Sequence, residues 1–149
     1  MVTEKKSEGG KLAIVLVRGL VNVTQSVKDT LAMLRLKRKN HCVVIENNAV
    51  NKGMLMKVKD YVTYGEIDEV TYKQLVEKRG EEFNARENDG KKKYQYKCLE
   101  FSGKKYKPYF RLNPPKKGFG RKGIKMPFKT GGGLGDREDK INDLIVRML

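Results

Sequence analysis

The most constraining feature of this sequence is an unbroken apolar run, Leu12 to Val17, in a chain of which 34% is charged. Its members Ile14, Val15 and Val17 are β-branched, and such residues favour strands. Alternate side chains of a strand point to opposite faces, so a run without polar interruptions is apolar on both faces. We therefore predict a central strand, or one covered on both faces.

Two further apolar runs, Cys42–Ile45 and Tyr61–Tyr64, predict a second and a third strand, and Gly65 is expected to end the third. Apolar residues at helical spacing predict a helix before each of these strands and another after the third. The expected N-terminal caps of these helices are Ser26, Asn51 and a Thr71–Gln74 capping box.

The resulting order β-α-β-α-β predicts an α+β fold in which an antiparallel sheet carries two crossover helices on one face. We expect the opposite face of the sheet to be free. The chain of 149 residues is long enough for one hydrophobic core.

The rest of the chain is more polar and less regular. Between Glu81 and Lys107, the alternation of Tyr94, Tyr96 and Cys98 predicts no more than a short strand. A last helix, with Asp136 as its expected cap, has an apolar face that should pack on the core. The residues of that face are Ile141, Leu144, Ile145 and Met148.

The most basic part of the chain, Lys104 to Gly135, contains ten lysines and arginines and no acidic residue. It carries +10 of the formal net charge of +15 and all four prolines, which exclude a long helix or a central strand. Because like charges repel, this segment is expected to bind a polyanion, and nucleic acid is the usual one. Composition alone also permits a glycosaminoglycan or an acidic lipid surface.

No pattern in the sequence predicts catalysis, a cofactor or a metal site. Gly118–Gly123 spells GxGxxG, but it lacks the preceding apolar strand and the following helix of a dinucleotide site. His41, the only histidine, has no metal-ligand partner at the right spacing, so a structural or RNA-contacting role is expected. We therefore expect a protein that is not an enzyme and has no small-molecule substrate.

The cysteines and the hydropathy of the sequence indicate in which cellular compartment the protein is expected. Cys42 and Cys98 form no CxxC pair and are expected to be reduced thiols. No apolar run approaches the ~20 residues that a membrane-spanning helix needs, and the first residues do not resemble a secretion signal. These features predict a soluble, intracellular protein that does not enter a membrane.

Three phenylalanines, Phe110, Phe119 and Phe128, are spaced through the basic segment. Each could stack on an unpaired base or pin the segment to the protein. We favour pinning for Phe110 and leave the other two open.

Several sequence blocks in combination resemble a known family. They are VRGLVNV (Val17–Val23), TLAMLRL (Thr30–Leu36), NHCVV (Asn40–Val44), NKGMLMKVKDYVTYGE (Asn51–Glu66), FRLNPPKKGFG (Phe110–Gly120) and IKMPFKTGGGLG (Ile124–Gly135). Over nearly its whole length the chain resembles large-subunit ribosomal protein thirty in its archaeal form, which is related to eukaryotic large-subunit protein seven.

The resemblance implies a ferredoxin-like core that binds rRNA and a C-terminal extension that follows the RNA. The implied function is that of a structural constituent of the large ribosomal subunit, in the cytoplasm and without catalytic activity. The implied partners are 23S-type rRNA and neighbouring ribosomal proteins, and proximity to 5S rRNA is left open. A free-standing RNA-binding or RNA-chaperone module is the alternative.

On this basis we divide the chain into four parts: a disordered N-terminus (1–10), the ferredoxin-like core (11–80), a polar middle segment (81–107) and a basic rRNA-binding extension that ends in a helix (108–149). Family motifs place Arg18 and Lys52 in core segments that face rRNA, and Arg111 in the extension. The residues predicted to bind RNA are Arg18, Lys37, Arg38, Lys39, His41, Lys52, Lys57, Lys104, Lys105, Lys107, Arg111, Lys116, Lys117, Arg121, Lys122, Lys125 and Lys129.

Overall fold

The computed structural model describes residues 10–149, so the predicted disordered N-terminus lies outside the described residues except for Gly10. The strands are β1 (Lys11–Leu16), β2 (His41–Glu46), β3 (Val62–Glu66), β4 (Leu99–Phe101), β5 (Lys104–Tyr106), β6 (Phe110–Arg111) and β7 (Gly135–Asp136). The helices are α1 (Gln25–Met33), α2 (Ala49–Val58), α3 (Glu69–Arg79) and α4 (Ile141–Met148), with short 3₁₀ turns at Phe128–Thr130 and Glu138–Lys140.

The main sheet has five strands in the order β6-β2-β1-β3-β7. The apolar strand β1 is central and runs antiparallel to both β2 and β3, so that Ile14 lies between Val43 and Tyr64. The extension (108–149) supplies both outer strands: β6 pairs antiparallel with β2, and β7 pairs parallel with β3. The ferredoxin-like α+β class that the sequence predicts is confirmed.

Both faces of the sheet are covered. On one face, Leu12, Ile14 and Leu16 pack against α1 and α2. On the other, Ala13 and Val15 pack against α3, α4 and Phe110. The expectation of a free second face was therefore wrong, and the reason is already present in β1, whose unbroken apolar run needs cover on both sides.

Helix α4 provides much of the cover on the second face. All four residues of its predicted apolar stripe (Ile141, Leu144, Ile145 and Met148) are fully buried. Each such side chain contributes about 1.5–3 kcal/mol when it leaves water. The far end of the basic segment is thereby attached to the core.

Gly65 lies within β3 and does not end it, which corrects the prediction. A Cβ atom at this position would collide with the backbone oxygen of Glu138 and lie 2.9 Å from the Cβ of Ile141. The glycine therefore allows the chain entering α4 to cross directly over β3. Close backbone approach, not strand termination, explains this residue.

The first three helices each begin earlier than the sequence predicted. The residues at their N-terminal cap positions are Thr24, Asn48 and Asp68, in place of Ser26, Asn51 and Thr71. Several neighbouring residues of capping type compete at each start, and none of the three residues found there makes a side-chain capping bond. Asn51 instead donates its side-chain amide to the backbone oxygen of Glu46, at 2.8 Å.

The cap predicted for the last helix was also wrong. Asp136 belongs to β7, and α4 begins only at Ile141. The Asp136 carboxylate accepts a hydrogen bond from the Glu138 N–H at 2.9 Å, at the start of the intervening 3₁₀ turn.

The middle segment contains a hairpin that the sequence did not predict, formed by β4 and β5. The short strand predicted at Tyr94, Tyr96 and Cys98 is wrong: only an isolated bridge between Asn88 and Gln95 forms there. The alternation failed as a signal because neither side of it is buried; Tyr94 and Tyr96 are both exposed.

Candidate nucleic-acid interface

One end of the sheet gathers predicted RNA-binding residues from separate parts of the chain. The N–H of Asn40 donates to the oxygen of Leu16 at 2.8 Å, and the N–H of Leu112 donates to the oxygen of Asn40 at 3.2 Å. These bonds bring the end of β1, the start of β2 and the end of β6 together. We call this the basic end; its predicted residues are Arg18, Lys37, Arg38, Lys39, His41 and Arg111.

A groove of about 1030 Å³ opens at the basic end. It brings together four predicted residues, namely Lys37, Arg38, His41 and Arg111, and so joins the first half of the chain to the extension. It also contains three cations that sequence reasoning missed, namely Arg35, Arg86 and Lys97. Their signal was weak because they lie in separate parts of the sequence, and only the fold places them in one groove.

His41 is held in this groove by an aromatic neighbour. Its ring stacks on Tyr109 with 5.5 Å between the ring centroids and 12° between the planes. Burial, and then the charges of Arg111 and Arg38, lower the pKa of His41 below its usual range. The imidazole is therefore neutral at neutral pH, and it contributes a flat surface to the groove in place of a charge.

A carboxylate clasp positions Arg111. Glu81, just after α3, accepts hydrogen bonds from Arg111 Nε and, at 2.9 Å, from Lys107 Nζ. The bonds from Arg111 and then Lys107 lower the pKa of Glu81 to about 2. The clasp fixes the start of the extension against α3, while the Arg111 side chain remains 61% exposed.

Lys104 and Lys105 also have carboxylate partners. Lys105 lies 2.6 Å from a Glu87 carboxylate oxygen, and Lys104 lies 3.6 Å from Glu82. These pairs are solvent-exposed and therefore contribute little stability. They leave the lysines accessible to another anion.

Lys52 does not lie with Arg18, although family motifs place both on an rRNA-facing core. Arg18 lies over the Tyr61 ring, 5.2 Å from its centroid, at the basic end. Lys52, in the first half of α2, lines a small cavity with Glu66, Asp136 and other residues at the opposite end of the sheet. Lys57 is an exposed residue in the last turn of α2.

The remaining predicted residues occupy the far part of the extension. All six side chains are exposed, and within residues 10–149 none has a carboxylate within 4 Å. They are Lys116, Lys117, Arg121, Lys122, Lys125 and Lys129. Their charges are thus free of competing ion pairs among the residues that the structure describes.

Around these cations the backbone folds back on itself. Lys122 N–H donates to the Gly131 oxygen at 3.1 Å, and Gly133 N–H donates to the Met126 oxygen at 2.9 Å. A Cβ on Gly132 would collide with the Met126 backbone. This glycine therefore lets the segment pack against itself.

A buried arginine staples the folded segment to the sheet. Arg137 is 3% exposed, and its Nε donates to the hydroxyl of Thr63 on β3 at 2.8 Å. Its Nη2 donates to the backbone oxygens of Phe119, at 2.7 Å, and Gly133, at 3.3 Å. Burial lowers the pKa of Arg137 to about 10, so it stays charged at neutral pH. This arginine acts on the fold and is not available to RNA.

The three phenylalanines of the extension are used by the protein itself. Phe110 is fully buried, as the pinning hypothesis expected. Phe119 packs partly buried against the core. Phe128 lies beneath the Arg137 guanidinium, 4.6 Å from its ring centroid. Phe119 and Phe128 therefore make the packing contacts that the pinning alternative expects.

Residues 10–149 contain little that would support a metal site, a membrane-spanning helix or a reactive cysteine. No cluster of three or more potential metal-ligating side chains occurs in this range. None of the helices described there is long and apolar enough to cross a bilayer. Cys42 and Cys98 are free thiols, and burial raises the pKa of Cys42 to about 12, so it is not reactive.

Comparisons with known proteins agree with this architecture. The family model described as ribosomal protein L30p/L7e matches residues 12–62. The large ribosomal subunit protein uL30 of Methanococcus maripaludis is 46% identical over 151 residues, covering 92% of this chain and 98% of that protein. Proteins of the same name from Nanoarchaeum equitans and Methanopyrus kandleri are 43% and 41% identical, covering 92% and 89% of this chain and 97% and 100% of their own lengths.

Proposed function

The chain belongs to the ribosomal protein L30p/L7e family, and from this we propose that it is a structural constituent of the large ribosomal subunit that binds and stabilises folded rRNA. The observation that carries the proposal is the groove at the basic end, where cations from the α1–β2 loop, the middle segment and the extension converge. Cations at this density are expected where phosphates are neutralised.

The RNA contact has two parts. The groove offers a shaped, partly aromatic surface, which suits a folded RNA better than a uniform phosphate track. The exposed cations from Lys116 to Lys129 form a second surface that the Arg137 staple holds in place. Lys52 lies apart from both, so we assign it a contact of its own at the other end of the sheet.

We assign 23S-type rRNA and neighbouring ribosomal proteins as the partners and the cytoplasm as the compartment. Contact with 5S rRNA belongs to the same proposal and requires a footprint on that RNA. The function needs no catalytic group, cofactor or metal ion, since phosphate neutralisation and surface complementarity supply the binding energy.

The proposal is tested with the full-length protein and large-subunit rRNA. A ribosomal constituent should co-sediment with large subunits and resist a moderate salt wash. A free-standing RNA-binding or RNA-chaperone module should be removed by the same wash. Failure to co-sediment at low salt would contradict the proposal.

The role of the extension is measured by the salt dependence of rRNA binding. We expect the double variant Arg121→Ala/Lys122→Ala to flatten the slope of log affinity against log salt by about 0.7–0.9 for each phosphate that is no longer neutralised. The matched control is Lys11→Ala/Lys73→Ala, which removes the same charge from exposed positions outside the groove and extension. Equal slopes for the two variants would show that the extension is not the electrostatic contact.

A further inference from the structure

We propose that the groove at the basic end receives an unpaired nucleotide of the rRNA and that the ring of Tyr96 stacks on its base. This inference rests on the proposed function and adds the kind of RNA element that is recognised. It also names a residue outside the set that the sequence predicted.

Tyr96 is an aromatic side chain held in the open. It lines the groove and is 53% exposed. Its N–H donates to the Glu87 oxygen at 2.9 Å, and the adjacent bridge between Asn88 and Gln95 holds the same turn. The backbone is therefore fixed while the ring has little protein to cover it. An exposed ring on a fixed backbone is a ready stacking surface, because little order has to be gained on binding.

The rest of the groove matches the other parts of a nucleotide. The stacked pair of His41 and Tyr109 supplies a second flat surface, neutral because the pKa of His41 is lowered. Phosphate can be met by Arg38, Arg86, Lys97 and Arg111, with Asp89 as the carboxylate in the lining. The volume of about 1030 Å³ lies at the upper end of the range for small-ligand sites, so a nucleotide and its phosphates fit.

This combination favours an unpaired base over a duplex. The edges of a double helix are read across a wide, shallow groove by cations and polar groups, and its base faces are covered by stacking. Aromatic side chains gain from RNA mainly where a base is splayed out and its face is free. Phe110, Phe119 and Phe128 pack within the protein, whereas Tyr96 is exposed and lines a groove that also contains cations.

The test compares a single-stranded uridine octamer with an RNA duplex of eight base pairs, by fluorescence anisotropy at one fixed salt concentration. Tyr96→Ala should weaken binding of the octamer about 5- to 150-fold, the range that corresponds to ~1–3 kcal/mol per stacked base. It should leave duplex binding unchanged. Tyr96→Phe keeps the ring and should keep the affinity.

Tyr94 supplies the matched control. It belongs to the same turn and is also exposed, at 67%, but it does not line the groove. Tyr94→Ala should therefore bind both RNAs as the unaltered protein does. Equal losses in the Tyr94→Ala and Tyr96→Ala variants, or equal losses on octamer and duplex, would overturn the inference.

A second measurement separates this inference from the proposed function. Large subunits assembled with the unaltered protein are probed with a base-specific reagent and compared with subunits carrying Tyr96→Ala. We expect both proteins to co-sediment, and one unpaired base to be protected only by the unaltered protein. Co-sedimentation with identical reactivity refutes the stacked base alone, whereas loss of co-sedimentation by the unaltered protein refutes the proposed function.

Discussion

Two arginines in the C-terminal part of the chain have opposite surroundings. Arg111 is largely exposed and is paired with the carboxylate of Glu81 in the clasp. Arg137 is buried and bonds only neutral groups, namely one hydroxyl and two backbone oxygens, in the staple. The first arginine can exchange its partner for a phosphate with little loss. The second would leave three acceptors without a donor if it moved.

The contrast shows that a basic segment is not uniformly a binding surface. The position of an arginine relative to the core determines whether its charge serves RNA or the protein's own fold. An exposed ion pair contributes about 0–1 kcal/mol, whereas loss of one partner from a buried charged group costs several. The three predictions that follow test this difference, beginning with the largest effect.

Replacing Arg137 should have the largest effect on stability. Arg137→Met keeps an apolar stem but removes the donors to Thr63, Phe119 and Gly133, so we expect the free energy of unfolding to fall by about 2–4 kcal/mol. The measurement is urea denaturation at neutral pH. Arg121→Met, an exposed control, should stay within about 0.5 kcal/mol. A similar small change for Arg137→Met would mean that the staple does not hold the extension.

The close packing inside the extension should give the second effect. Gly132→Ala forces a methyl group against the Met126 backbone, and we expect a loss of about 1–3 kcal/mol together with faster proteolysis between Lys116 and Met126. Gly90→Ala is the control, because a Cβ there meets nothing within 4 Å. If both alanines are tolerated equally, the segment does not pack as described.

Breaking the clasp should have the smallest effect. Glu81→Gln is expected to cost about 0.5–1 kcal/mol at pH 7, since both cations are partly exposed. The folded-state pKa of Glu81 is lowered from 4.5 to about 2, so its contribution is complete above pH 4.5 and disappears as the pH falls through about 2. Measured by urea denaturation across this pH range, the free energies of unfolding of the unaltered protein and of Glu81→Gln should converge as the pH falls. A difference that persists at pH 2 would contradict an ionic origin.

The sequence predicted the core of the fold well because its signals are local. Strand β1 was predicted from a continuous run of apolar residues and α4 from apolar residues at helical spacing. Both sets of residues are buried as expected. Helix starts were missed by two or three residues because neighbouring capping residues compete. The cover on the second sheet face was missed because the β-α-β-α-β pattern assigns only two crossover helices to the sheet, whereas α3 and α4 reach it through contacts between distant segments.

The candidate site was less predictable because it is assembled from distant segments. Arg35, Arg86 and Lys97 become neighbours only through folding. Arg137 looked like one more cation of a basic stretch, and its burial depends on Thr63, which is 74 residues away. The alternation of Tyr96 with Tyr94 is typical of a strand and so gives no indication of a stacking surface. The signal that could have pointed to RNA was the position of Tyr96, an exposed aromatic residue, next to lysines such as Lys97.

The crossing of the last helix over β3 also bears on how the chain folds during synthesis. Asn142 donates its side-chain amide to the backbone oxygen of Glu66 across 76 residues of sequence, and α4 completes the second cover of β1, to which α3 and Phe110 also contribute. A nascent chain that has emerged only through β3 exposes Ala13 and Val15 to solvent, and contacts at such separation slow folding. Pulse-labelled hydrogen exchange should therefore show β1 amides gaining full protection in the same kinetic phase as those of α4.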